Sequence, residues 1–114
     1  MLETYQEEFL NNIRGYENLI LVEGKKDRRV LEKLGLENII EISGKRLEKV
    51  VDIIQKNGKQ VSILTDYDKE GIKQYKRLKK LLSATEIKVN DKIRRDFKRN
   101  FLITKIEELS SYLK

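Results

Sequence analysis

Short apolar runs, each followed by a stretch with helical periodicity, restrict this chain more than any other feature. Leu19-Ile20-Leu21-Val22, Ile39-Ile40-Glu41-Ile42 and Val61-Ser62-Ile63-Leu64 are each four residues long and bounded by polar residues. Runs of this kind suit strands covered on both faces, as in a parallel sheet. Val30, Leu31 and Leu34 then mark a helix from about Lys26, closed by Gly35. Leu47, Val50, Val51 and Ile54 repeat at i, i+3, i+4 and i+7, with Ser43 as the expected cap and Asn57-Gly58 as the stop. Ile72, Tyr75, Leu78, Leu81 and Leu82 form the apolar face of a third such helix over 69–82. Glu86-Ile87-Lys88-Val89 alternates and reads as a half-wet edge strand.

Flanking helices complete the pattern. Thr4-Tyr5-Gln6-Glu7 fits a capping box for a helix over 5–14, with Gly15 as its stop. Ile93, Phe97 and Phe101 share one face of a helix over 91–101, and a second capping box, Thr104 to Glu107, begins a last helix carrying Leu109 and Leu113. Strands alternating with helices imply an α/β fold with a four-stranded parallel sheet and helices on both sides. The first and third strands are the most apolar and belong in the centre, giving the order 2-1-3-4. Right-handed crossovers then reverse the winding between those two strands, and ligands of open α/β sheets bind at such a switch point. Glu23 and Asp66 stand at the two carboxyl ends concerned. The 114 residues make one domain, 1–114, with its core at about 17–90.

The absent residue types narrow the chemistry. There is no Cys and no His, which removes disulfides, thiol nucleophiles, zinc knuckles and Ser-His-Asp catalysis. A bound metal must take carboxylate, carbonyl and water oxygens, a set suited to Mg²⁺, Mn²⁺ or Ca²⁺. No apolar run is long enough to span a membrane, and the acidic, polar opening Leu2 to Glu8 is unlike a secretory signal, so a cytoplasmic location without membrane partners is expected. The net charge of +6 is uneven: residues 69–99 carry twelve Lys or Arg against four acids, leaving the rest slightly acidic. That asymmetry favours a polyanionic partner, with nucleic acid first.

Three carboxylates crowded together repel unless a cation lies between them. In Asp66-Tyr67-Asp68, residues i and i+2 of an extended segment face the same way, so both acids can address one ion with Glu23. Asp68 is equally well placed to cap the helix that follows. Gly24 and Gly71 are expected to give backbone room beside the acids. Lys25 and Lys69 follow the two acidic motifs, and Arg94, Arg95, Lys98 and Arg99 are read as one exposed cationic strip for phosphates.

Leu21-Val22-Glu23-Gly24-Lys25-Lys26-Asp27, followed some forty residues later by Leu64-Thr65-Asp66-Tyr67-Asp68-Lys69-Glu70-Gly71, resembles the Toprim domain. The domain is shared by topoisomerases, bacterial-type primases, OLD-family nucleases and a ribonuclease that matures 5S rRNA. The likeness is greatest to small stand-alone archaeal proteins and the ribonuclease branch. It implies a three-layer α/β/α, Rossmann-like fold and Mg²⁺, with Mn²⁺ as a substitute. Glu23 matches the family's glutamate, a metal ligand or general acid/base, and Asp66 and Asp68 match its metal-binding aspartates, so these three are the expected catalytic residues. Asp27 fits the Glu-Gly-x-x-Asp pattern of the nuclease-like branches, although a first-turn helix acid explains it equally well. Receiver domains and haloacid-dehalogenase phosphatases place their acids differently.

The resemblance places the topoisomerases' nucleophilic tyrosine in a separate domain, which is not expected here, and Tyr67 should point away from the metal. What the resemblance implies is a nuclease acting on RNA or DNA. The alternative is a non-catalytic metal-binding module that binds RNA or an RNA-processing or ribosomal assembly.

Overall fold

Four parallel strands in the order β2-β1-β3-β4 form one sheet, the order expected from strand polarity. In the computed structural model, which describes residues 1–14, 19–58 and 60–113, β1 is Leu19–Val22, β2 Ile39–Glu41, β3 Gln60–Ile63 and β4 Lys88–Val89. The helices are α1 Thr4–Arg14, α2 Lys25–Lys33, α3 Leu47–Asn57, α4 Lys69–Ser83 and α5 Asp91–Phe101, followed by a 3₁₀ helix, Ile106–Leu113. Gly15, the expected stop of the first helix, lies outside the described residues.

Side chains alternate across a strand, and β1 therefore feeds two cores. Ile20 and Val22 pack with α1, α2, α5 and the 3₁₀ helix, whereas Leu19 and Leu21 pack with α3 and α4. A central strand with both faces covered must be apolar throughout, which is why all four residues of β1 are buried. On the first side Phe97 is fully buried, its ring 5.0 Å from Phe9 of α1 and 5.6 Å from Phe101. Each such side chain contributes about 1.5–3 kcal/mol of burial, so the α5 stripe anchors that layer.

Several local details differ from expectation. The first capping contact sits one residue earlier, with Gln6 Oε1 accepting the Glu3 amide, while Glu7 pairs with Arg14 at 3.0 Å. Ser43 does not cap α3; a turn with Gly44 at φ 76° intervenes and the helix begins at Leu47. The edge strand is cut to Lys88–Val89, since only Gln60–Lys88 and Val61–Val89 come into register.

Candidate metal and nucleic-acid site

The register of the two central strands sets the first pair of acids. Leu21 lies opposite Ile63, and the Leu64 amide donates to Leu21 O, so Glu23 and Asp66 leave the sheet side by side at its carboxyl edge. The Ser43 amide donates to Glu23 O at 2.8 Å, tying the β2–α3 loop to the same point. A cleft of about 340 Å³ opens there, with Glu23, Asp27, Asp66 and Glu107 on its walls and Lys25, Lys26 and Lys105 at its rim.

Asp66 is held from three directions. Its Oδ1 accepts the Ile106 amide at 2.9 Å, which caps the 3₁₀ helix and replaces the expected Thr104–Glu107 box. Glu108, rather than Glu107, reaches back to the Lys105 amide. The backbone at Asp66 is packed so closely against α4 that a Cβ on Gly71 would lie 2.0 Å from Asp66 O. Gly71 is thus required by close approach. Gly24 is not: its backbone is extended at φ −138°, and a Cβ there would meet nothing within 4 Å.

The third hold on Asp66 is Arg94. It was expected on the exposed strip, yet it is only 7% exposed. Its Nη1 donates to Thr65 O at 2.7 Å and Ile63 O at 3.2 Å, and its Nη2 to Asp66 O at 3.0 Å. The guanidinium lies between the rings of Tyr67 and Tyr75, 4.5 and 4.6 Å from their centroids. Burial lowers its pKa, but the carbonyls and ring faces keep the cation supplied with partners. Arg94 is therefore an internal clamp on the end of β3. The signal was present: it precedes Phe97 by three and Phe101 by seven, the spacing of one buried stripe.

Tyr67 points away from the cleft, as expected. Its hydroxyl donates to Arg94 O at 2.7 Å, its amide to Thr104 O, and burial pushes its pKa upward. Asp68 stands apart from the other acids: its Oδ1 accepts the Gly71 amide at 2.8 Å as the N-cap of α4. The capping and metal readings of Asp68 therefore compete for the same carboxylate.

Asp27 joins the acids instead. Its Oδ2 accepts the Gly24 amide at 3.2 Å, and its carboxyl is pushed up to about 6, mainly by burial and further by the negative charges of Asp66, Glu107 and Glu23. Such crowding favours a cation in the cleft. Among the described residues, no three acids lie close enough to form a closed protein cage for a metal. The oxygen-only donor set fits Mg²⁺, which keeps several waters and needs only one or two carboxylates. Glu107 was missed as a site residue because only the return of the 3₁₀ helix onto α2 brings it here.

Comparison with known proteins identifies the family. A family model described as the Toprim domain matches residues 18–100. The chain belongs to the Toprim domain family. Among its relatives, the UPF0292 protein of Methanocaldococcus jannaschii is 37% identical over 105 residues, covering 89% of this chain and 82% of that one. A UPF0292 protein of Thermococcus onnurineus is 33% identical over 94 residues, covering 82% and 70%. A solved structure of a protein from Aquifex aeolicus superposes with a TM-score of 0.82 at 32% identity, covering 93% of this chain and 99% of its own. Membership makes the chain a metal-binding module related to nucleic-acid processing.

On this Toprim domain the remaining basic residues take different positions. Arg95, Lys98, Arg99 and Lys69 are exposed, so the strip on α5 survives without Arg94. Lys98 is partly engaged, donating to Ile103 O at 2.6 Å, and Arg99 lies 3.8 Å from Asp96. No helix of the described residues is long and apolar enough to cross a membrane.

Proposed function

We propose that the protein is a Mg²⁺-dependent nuclease acting on RNA or DNA, with Mn²⁺ able to substitute, and that Glu23 and Asp66 are its principal metal ligands. The observation that carries this reading is the pairing of Glu23 and Asp66 on adjacent strand ends in a cleft with an excess of carboxylate and a rim of lysines. Asp68, whose cap leaves one carboxylate oxygen over, and Asp27 and Glu107 would supply further oxygens to the ion or its waters. A divalent ion bound there supplies a polarised phosphodiester and a water of lowered pKa. Lys25, with Lys26 and Lys105, draws a phosphate to the cleft mouth, while Arg95, Lys98, Arg99 and Lys69 give sequence-independent, salt-sensitive contacts. Arg94 positions Asp66 and touches no substrate. A place among soluble RNA-processing or ribosomal assemblies in the cytoplasm fits the same charges.

The test compares wild type with Glu23→Gln and Asp66→Asn on end-labelled single- and double-stranded RNA and DNA, with Mg²⁺, Mn²⁺ or chelator. Metal-dependent cleavage lost in both variants supports the nuclease. Tight binding with no cleavage by any of the three supports the non-catalytic module instead.

A further inference from the structure

A cavity of about 550 Å³ lies apart from the acidic cleft. It lies on the opposite side of the sheet, between the β2–α3 loop and α4. Lys45, Arg46 and Arg77 line it, and none of the three is within ion-pair distance of a carboxylate among the described residues, although Lys45 Nζ donates to Glu41 O at 2.9 Å and Glu48 also borders the cavity. Arg46 is the N-cap of α3 and offers no side-chain cap, so the positive end of an 11-residue helix faces the same space. The floor is apolar, formed by Leu47, Val50 and Leu78.

One further atom points to an occupant. Gln74 Oε1, on the wall from α4, is shielded from solvent and accepts no hydrogen bond. A shielded acceptor left without a donor costs about 1–3 kcal/mol, and a rotation of the Gln74 side chain toward a ligand N–H or O–H in the cavity would remove that cost. Basic side chains along the lining, an apolar floor and one acceptor in a cavity of this size match a nucleotide unit.

The cavity is also coupled to the acidic cleft. Its loop is fixed to Glu23 by the Ser43 amide, and its α4 wall starts at the Asp68 cap. Arg77 lies eight residues into α4, about 12 Å from the helix start. A strand held at Arg77 would have that distance to cover to reach the carboxyl edge of the sheet. We propose that this cavity holds one nucleotide of the polynucleotide strand, its phosphate between Lys45, Arg46 and Arg77 and a sugar or base donor on Gln74. The inference rests on the reading of the chain as a nucleic-acid-processing protein.

Fluorescence anisotropy of labelled single-stranded RNA and DNA oligonucleotides, across a salt series, tests it. Arg46→Ala/Arg77→Ala weakens binding about tenfold or more and flattens the salt slope by about 1.4, the loss of two phosphate contacts on a single strand. Gln74→Leu removes no charge; it weakens binding about threefold or more and leaves the slope unchanged. Arg46→Lys/Arg77→Lys retains the wild-type slope, and Lys76→Ala/Lys80→Ala, which removes equal charge outside the cavity, has the smaller effect. Wild-type affinity in the double alanine variant, or in Gln74→Leu, overturns the nucleotide pocket while the nucleic-acid reading stands. If wild type binds no oligonucleotide but an excess of nucleoside 5′-monophosphate is bound and lost with Arg46→Ala/Arg77→Ala, the strand is wrong and the nucleic-acid reading falls. If wild type binds neither, both fall.

Discussion

Asp66 Oδ1 accepts the amide hydrogen of Ile106 at 2.9 Å, so the acid at the end of β3 also caps the last helix of the chain. One carboxylate therefore closes the fold and faces the cleft. This contact brings Lys105 and Glu107 to the cleft wall, and its geometry depends on how rigidly the Asp66 backbone is held.

Gly71→Ala tests that rigidity. The added methyl would lie 2.0 Å from Asp66 O, and neither backbone segment can yield cheaply. We expect a loss of about 3 kcal/mol in chemical denaturation, at the upper end of overpacking costs. A loss under about 0.5 kcal/mol would show that α4 is free to shift.

Arg94→Met keeps the apolar reach of the side chain and removes its donors to Ile63, Thr65 and Asp66. Leaving these carbonyls short of partners should cost about 2–4 kcal/mol. Arg95→Ala, on the exposed side of α5, should stay within about 0.5 kcal/mol of wild type and weaken nucleic-acid binding instead. The reverse ranking would return Arg94 to the surface strip.

Asp27 gives a metal-linked pH effect. Its folded-state pKa is raised from 3.8 to about 6, so its favourable contribution is complete below pH 4 and is lost as pH rises to about 6. In chelator, Asp27→Asn should remove that decline and be more stable than wild type at pH 7.5, by about 1–2 kcal/mol after discounting for its partial exposure. Thermal unfolding with saturating Mg²⁺ should erase the advantage. An Asn variant less stable than wild type in chelator would contradict the crowding.

Asp68→Asn separates its two roles. Asn caps a helix about as well as Asp, so stability should change by under about 0.5 kcal/mol. If Asp68 also serves the ion, metal affinity should fall while stability holds.

The sheet was legible because burial on both faces leaves a plain mark: apolar throughout in β1, interrupted at Glu41 and Lys88 toward the edges. From that order the adjacency of Glu23 and Asp66 followed. Arg94 was misread because a charged residue was assigned to the surface by type, although its spacing put it with Phe97 and Phe101. Asp68 carried two readings from one Asp-x-Asp spacing, and of these the capping contact is seen in the fold. Glu107 and Lys105 could not be found from local sequence, since a contact forty residues long, Asp66 to Ile106, places them.

A divalent ion between Glu23 and Asp66 is the central requirement of the proposed activity. Mn²⁺ binding followed by electron paramagnetic resonance, with Mg²⁺ competition and calorimetry, measures it on wild type, Glu23→Gln and Asp66→Asn. We predict saturable binding that Mg²⁺ displaces, weakened about tenfold or more in each variant while both remain folded. Binding by Asp66→Asn indistinguishable from wild type would contradict the metal site.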